Sequence, residues 1–468
     1  MQADPARSTD LGLLRELWRE LAEDERATDR VTFAGPVQVL PSVFAVTTLA
    51  SASIALATLA AAELWAVRRD RPTPAVRVER AHAALAFRRE AYATPVGWAL
   101  PPLWDPIAGD YASSDGWIRL HTNYAHHRRA VQRVLGELDT RAAVAAAVAS
   151  WRGDDLEQAV VASGGCAAAM RDLGAWRAHP QGRAVRSEKT LAREHTTARA
   201  AALPPSTLPL DGVRVLDLTR VIAGPICTGF LAAYGADVLR IDPPGFAEVP
   251  ALLPETTAGK RRAALDLGHP DQRARFAALV RHADVLVVGY RGDTLAPRGL
   301  DDAQLRALNP RLIVAALDAY GWSGPWSGRR GFDSLVQMSS GIAARGQAVY
   351  RSERPVPLPA QALDHATGYL LAAGVCRALR DLHAGRGTSI RASLARTAQL
   401  LVDLGEGDDP FAPQPTAADV APWLETVATA WGPLRRLRLP GEIAGVAPVH
   451  GPQPGPLGSD PARWLERA

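Results

Sequence analysis

The sequence predicts a mixed α/β fold whose second half carries a parallel, doubly wound sheet, joined to a small α+β domain, and two observations predict it. Beyond about residue 208, short apolar runs rich in Val, Leu and Ile alternate with stretches of helical period. Strands without a polar face are buried on both sides, as in a parallel sheet covered by helices. The first half lacks this alternation, which makes it a separate architecture.

Taken in order, the opening MQADPARSTDLGLLRELWRELAEDER mixes acids into an amphipathic helical period. A secretory signal needs a basic end and then an apolar run, so no export signal is expected there. From Val31 to Ala62 no residue is charged, longer than the about 20 residues of a bilayer span. Its Ser, Thr and Ala content, the interrupting Pro41 and the lack of a second span favour a buried helix in a protein without a membrane partner. Helices are expected to about residue 100. DGWIRLHTN follows as a strand, and TRAAVAAAVASWRGDDLEQAVVASGGCAAAMRDLGAWRAHP as two helices broken at Gly164 and Gly165. The paired prolines and small residues of TTARAAALPPSTLPLDG, 196–212, mark an interdomain linker. After it, strands are expected at 213–218, 237–242, 284–290 and 311–321, separated by the helices of GPICTGFLAAYGA, HPDQRARFAALVRHA and DDAQLRALNP.

Composition excludes several functions. With 47% hydrophobic and 22% charged residues and a net charge of +4 over 468 residues, the chain is a folded protein whose basic residues form no block, so nucleic acid is not an expected partner. Cys166, Cys227 and Cys376 are far apart, with no CxxC or paired His spacing, which gives no support to a metal site or disulfide and fits a reducing cytoplasm. Only Lys189 and Lys260 are lysines among many arginines, so Lys260 stands out. The turn after the first large-domain strand, TRVIAGPICTG, is not GxGxxG, and no Walker loop is present. GWSGPWSG, 321–328, is a turn rather than a nucleophile elbow.

The stretch LPAQALDHATGYLLAAG, 358–374, sets Asp364 at the mouth of an apolar helix with no further acid until Asp381. By itself such an aspartate is either a helix cap or an anion held at the positive end of the helix, where glycine and alanine neighbours admit a bulky substrate. The surrounding motifs decide between these. LPLDGVRVLDLTRVIAGPICTGFLAAYGADVLRID, GKRRAALDL, ADVLVVGYRGDTL, LNPRLIVAAL, RRGFDSLVQMSSGIAARG and LDHATGYLLAAGV occur in this order between Leu208 and about Leu401. The set resembles the class III CoA-transferases, the carnitine-dehydratase and bile-acid-inducible group that includes formyl-CoA transferases.

The resemblance implies a Rossmann-like large domain and an acyl-CoA:carboxylate CoA-transferase, with a CoA thioester as substrate and no other cofactor. It implies that Asp364 is the nucleophile, passing through mixed anhydrides and an aspartyl-CoA thioester. Asp333, in GFD, matches an acidic position near the nucleophile. For CoA binding it points to Ile222 and Ala223, to Leu265 and Asp266, to Gly289, Tyr290 and Arg291, and to Lys260, Arg298 and Arg330 as phosphate contacts. A racemase branch carries histidine in a G-H-D motif; here the motif reads Gly331, Phe332, Asp333, and phenylalanine cannot exchange a proton. A catalytically silent acyl-CoA-binding or partner protein of the same fold is the alternative from another class.

The order of segments departs from the family. The chain reads as the helical part of a degenerate large domain (1–104), a small α+β domain (105–195), a linker (196–207), a large domain with the nucleophile (208–401) and a returning tail (402–468). A faint echo links FAVTTLASASIALATLAAAELWAV and its sequel to QALDHATGYLLAAGV and its sequel, with Thr47 where Asp364 stands. These features suggest a rearranged tandem of two incomplete halves, either a homodimer or a pseudo-dimeric monomer. His121, His126 and His127 have no carboxylate at ligand spacing and read as surface residues, and no glycine-rich shielding loop is recognisable.

Overall fold

The uncharged stretch after Val31 folds as a strand and then a long buried helix. In the computed structural model, which describes residues 9–22, 24–197, 204–290, 292–407 and 409–466, Val31–Ala34 (β1) leads to Val46–Arg69 (α1). Val76–Glu79 (β2) then pairs parallel with β1 and runs into Arg80–Ala86 (α2). Among the described residues α1 is the one helix long and apolar enough to cross a bilayer, and 89% of its apolar window is buried inside the protein. Its Ser53 and Thr58 hydroxyls donate to the carbonyls of Leu49 and Ile54 four residues back, which satisfies them in that setting. The expectation of helices alone to about residue 100 thus misses two four-residue strands.

Gly109–Ala112 (β3), Trp117–Leu120 (β4) and Ala167–Ala169 (β5) form the antiparallel sheet of the small module. The strand expected in DGWIRLHTN is β4, but the second expected helix is interrupted: beyond Gly165 the chain becomes β5. Alanine favours helix, yet Ala168 packs with Cys166 against Leu335 and Met338, and β5 pairs with β4. Tertiary pairing outweighs local preference here.

Ala192–Thr197 (β6) is also a strand, where the sequence suggests the end of the small module and the start of a linker. Residues 198–203, the middle of that expected linker, lie outside the described residues. The four expected strands of the second half follow as Arg214–Leu218 (β7), Asp237–Asp242 (β8), Val285–Val288 and Ile313–Asp318, with Ala223–Ala233 (α3) after β7. Lys260–Ala264 (β9) comes between them, so the last two are β10 and β11. Asp333–Ser339 (α4) and Ala362–His383 (α5) lead to Arg386–Ser393 (β12) and Leu394–Leu404 (α6). Glu442–Ile443 (β13) closes the series.

The main sheet is mixed, with seven strands in the order β9-β8-β7-β10-β11-β12-β6. All neighbours are parallel except β12 and β6. The antiparallel edge was not expected, because β6 comes from the first half of the chain. Strand order reverses between β7 and β10, which opens a crevice beyond their carboxyl ends.

A smaller sheet repeats the pattern: β1 and β2 are parallel, and β13, from the end of the chain, adds to β2 antiparallel. Each half therefore lends one edge strand to the other half's sheet. Between the sheets α1 packs along α5, with Glu63 accepting from Arg380 at 2.8 Å, and both helices enter one apolar cluster with Val215, Val285 and Val287 of the main sheet.

On its other side α5 touches α3 through Gly368, where a Cβ would lie 2.5 Å from the Ala223 carbonyl oxygen and 2.8 Å from the Ile226 Cβ. Gly368→Ala is expected to destabilise the protein by about 1–3 kcal/mol through overpacking, measured by urea unfolding.

Candidate active site

The TRVIAGP turn between β7 and α3 is held from behind. Asp217, at zero exposure, accepts from the Thr219 backbone at 2.9 Å and its hydroxyl at 2.5 Å. The Lys260 ammonium, equally buried, reaches Asp217 at 3.1 Å and the Pro225 carbonyl at 3.1 Å. Against its burial, Lys260 holds the Asp217 carboxyl below the usual range. So fixed, the turn places the β-branched Val221 at φ 63°, a left-handed conformation that such a residue adopts only under constraint. Gly224 is required as glycine, since a Cβ would lie 2.2 Å from the Thr219 Cβ.

Asp364 lies in the first turn of α5, and Asp333 opens α4 behind it. One Asp333 oxygen accepts from the backbone N–H groups of Leu363 and Asp364 at 2.8 and 3.0 Å, and the other from the Gln337 amide at 2.5 Å. The two backbone donors are free N–H groups of a helix start, so Asp333 caps the helix that carries its neighbour. Burial raises the Asp333 carboxyl to about 6, opposed by bonds from the Asp364 N–H, Gln337 and the Leu363 N–H. No described residue donates a hydrogen bond to the Asp364 carboxylate; burial first, then Asp333 and Glu90, hold it well above the usual range. Its neighbour His365 points elsewhere, pairing with Glu90 at 2.9 Å and stacking on Phe87.

Asp364 stands between two cavities. The first, a cleft of about 370 Å³, runs along the carboxyl ends of β7, β8, β10 and β11. Arg298 and Arg330 line it without a carboxylate partner among the described residues: Arg298 donates to the Thr294 carbonyl and Arg330 to the Gly164 carbonyl at 3.0 Å. Arg220 lies 3.4 Å above the Phe246 ring centroid and donates to the Tyr290 hydroxyl at 2.9 Å. Planar cations with unused donors suit phosphate oxygens. Asp318 in the same wall is pushed up to about 8 by burial, so it adds little negative charge at neutral pH.

The second cavity, about 240 Å³, opens on the other side of Asp364, Val221 and Phe332. Residues of the first half wall it, among them Phe87, Glu90, Leu103, Trp104 and His121. The small module also reaches the cleft through Tyr124, His126 and His127. It is anchored there by the Tyr124 hydroxyl donating to Glu248 at 2.5 Å, while Glu248 pairs with Arg240 at 3.0 Å.

Of the residues singled out from the sequence, Asp364, Ala223, Leu265 and Asp266 border the cleft, and so do Gly289, Tyr290, Arg298 and Arg330. Ile222 borders the second cavity instead. Asp333 is buried behind Asp364 and meets neither space. Arg291 lies outside the described residues. Lys260 needs correction: a fully buried ammonium committed to Asp217 cannot meet a phosphate in the cleft. The surface reading of His121 and His127 also fails, since both are buried. His121 stacks on Phe332 at 3.6 Å, and burial drives both imidazoles down, His127 to about 3. His126 remains exposed at the cleft rim. Sequence reading missed Arg220 and Val221; Arg220 sits inside a motif already quoted, whereas nothing in the sequence marks the strain at Val221.

The fold and site define an α/β protein with a carboxylate facing an arginine-lined cleft. Residues 210–408 match the model of CoA-transferase family III. Over 201 residues the chain is 33% identical to a formyl-CoA:oxalate CoA-transferase of Rhodopseudomonas palustris, covering 40% of this chain and 47% of the relative. Over 202 residues it is 35% identical to the succinyl-CoA–L-malate CoA-transferase beta subunit of Chloroflexus aurantiacus, covering 40% and 50%. A crystal structure of Rv3272 from M. tuberculosis aligns at 30% identity and a TM-score of 0.38, covering 42% of this chain and 60% of that one. The chain spans about half the length of the curated relatives it matches.

Proposed function

We propose that the protein transfers CoA between carboxylic acids, with Asp364 as the covalent nucleophile. The observation that carries this reading is the Asp364 carboxylate, to which no described residue donates, in the wall shared by two cavities, one of them lined by Arg298 and Arg330, which have no carboxylate partner among the described residues. In the first step a carboxylate oxygen attacks the thioester carbonyl of an acyl-CoA held in the cleft; the C–S bond breaks, leaving an aspartyl–acyl anhydride and CoA thiolate. The thiolate then attacks the aspartyl carbonyl, releasing the donor acid and forming aspartyl-CoA. The acceptor carboxylate attacks that thioester, and the released thiolate takes the acceptor's acyl group from the second anhydride, restoring Asp364. Each step exchanges one leaving group for another, so no redox partner is needed.

The chain's own groups serve this sequence. Asp333, with three donors, takes negative charge first and fixes the helix start, so Asp364 keeps a raised proton affinity and is more nucleophilic once ionised. The first chemical step is therefore expected to slow as pH falls through the raised pKa of Asp364, in single-turnover rates measured between pH 5 and 9. Arg298 and Arg330 hold phosphates of CoA, and each replacement by alanine is expected to weaken acyl-CoA binding by about 1.5–3 kcal/mol, with a reduced dependence on salt. Isothermal titration at two salt concentrations measures both.

Oxygen transfer tests the reading. The bridging oxygen of the second anhydride comes from the acceptor and stays on the aspartate, so one turnover with a doubly ¹⁸O-labelled acceptor carboxylate leaves one ¹⁸O in the Asp364 peptide. Saturable acyl-CoA binding without oxygen transfer would replace this reading by that of a binding protein.

We also infer that the chain joins two incomplete copies of one ancestral unit within a Rossmann-like scheme, functioning in the cytoplasm. The matching pair of sheets, the exchanged edge strands β6 and β13, and the packing of α1 along α5 support it. In the first copy Thr47 is fully buried and accepts from the Val39 N–H at 3.1 Å, so the counterpart of Asp364 is a sealed helix start.

A further inference from the structure

We propose that the 240 Å³ cavity is the acyl site, selecting apolar monocarboxylic acids with a branched or aromatic chain and rejecting dicarboxylic ones. This rests on the transfer reading above and names its substrate class. Asp364, Val221 and Phe332 are common to the cleft and the chamber. A thioester delivered along the cleft brings its carbonyl carbon to Asp364, and the acyl chain beyond that carbon continues into the chamber.

The lining sets the selection. Phe87, Leu103, Val249, Leu252, Pro359 and Ala360 present carbon to the space. Its one cationic lining residue, Arg88, is turned to Gln414 at 2.9 Å and lies over Tyr92, and the adjacent Arg89 is committed to Glu255 at 2.7 Å. A second carboxylate on the acyl chain would thus be desolvated with no cation to balance it, only the neutral His121 and Ser334, and near Glu90, which is unfavourable. Size agrees: a dry cavity of about 150 Å³ admits benzene, so 240 Å³ accepts a phenyl ring with a short linker.

Two polar atoms complete the site. Among the described residues His121 Nδ1 and Ser334 Oγ are buried without a hydrogen-bond partner, and both residues line the chamber. Buried polar groups are normally satisfied; the acyl carbonyl of a bound thioester offers the missing acceptor. Several of these residues, Phe87, Leu103 and His121 among them, precede the matched region 210–408, so selectivity is written in a different part of the chain from the nucleophile.

The test compares the rate of adduct formation at Asp364 with phenylacetyl-CoA, isovaleryl-CoA, acetyl-CoA and succinyl-CoA, in the full-length protein and in Ala360→Trp, which fills the chamber. Phenylacetyl-CoA and isovaleryl-CoA are expected to exceed succinyl-CoA by roughly 100-fold in kcat/KM, the factor an unpaired buried charge commands. Ala360→Trp is expected to lower the phenylacetyl-to-acetyl ratio by about tenfold. Trp104→Ala, at a partly exposed position, keeps the test open if the first variant does not fold: it should raise the ratio of longer to shorter acyl groups. Equal use of succinyl-CoA, or ratios unmoved by both variants, overturns the assignment while leaving transfer intact. Should no acyl-CoA form an adduct, the transfer reading fails and titration calorimetry on Asp364→Asn decides the chamber alone. Tighter binding of phenylacetyl-CoA than of CoA, lost on adding Ala360→Trp, supports it, and equal binding overturns it.

Discussion

Asp364→Ala is expected to abolish covalent labelling by acyl-CoA and to lower CoA transfer by at least about 10³-fold, the scale on which removing a covalent nucleophile acts, with acyl-CoA binding retained. The expectation follows from the division of labour at the start of α5. Asp333 bonds the Leu363 and Asp364 N–H groups, so capping does not depend on Asp364. On the proposed reading its removal therefore takes away the reacting oxygen and leaves the helix start intact. Asp364→Asn sharpens the point through stability. A carboxyl whose folded pKa is raised costs stability once pH exceeds its unfolded value near about 4, and the cost is complete above the folded pKa. The asparagine variant should therefore melt at a higher temperature than the parent at pH 8, with the difference vanishing at pH 4. A nucleophile kept at the expense of stability behaves this way; a simple cap would show the opposite sign.

Lys260→Ala is expected to destabilise the protein by about 3–5 kcal/mol, because it strands Asp217 as an unpaired buried charge. Both partners have zero exposure and are 3.1 Å apart, and Asp217 in turn fixes Thr219 and the Val221 turn. Denaturant unfolding gives the loss directly. Adding Asp217→Asn should recover part of it, since the uncompensated charge is then gone. If Lys260 contacted phosphate instead, the single variant would weaken acyl-CoA binding and leave unfolding unchanged.

This lysine also shows where the sequence was legible and where it was not. Residue type and motif position identify an unusual lysine at 260, but burial is a property of the packed chain: β9 is the edge strand of the sheet, and its Lys260 side chain reaches in to Asp217 and the Pro225 carbonyl. The second-half strands β7, β8, β10 and β11 were readable from their apolar runs, whereas β9 (KRRAA) and β12 (RGTSIRAS) carry charged and polar residues and were not among the expected strands. β1 and β2, four residues each, were hidden beside a 24-residue helix, and β6 was hidden because its partner β12 lies almost 200 residues away. Asp364 and the cleft turn were visible as local motifs. The chamber was not: Phe87, Trp104 and His121 meet Phe332 and Asp364 only through tertiary structure, so no spacing rule could assemble them. The same holds for His121, whose surface reading fails because Phe332 covers its ring.

The central claim is that CoA is carried on one carboxylate. Incubating the protein with a donor acyl-CoA in the absence of acceptor, followed by peptide mass spectrometry, measures this directly. A CoA-mass adduct on the Asp364 peptide, released by hydroxylamine and missing in Asp364→Asn, is the predicted result; steady CoA transfer with no adduct on that residue, or with the adduct elsewhere, would contradict it.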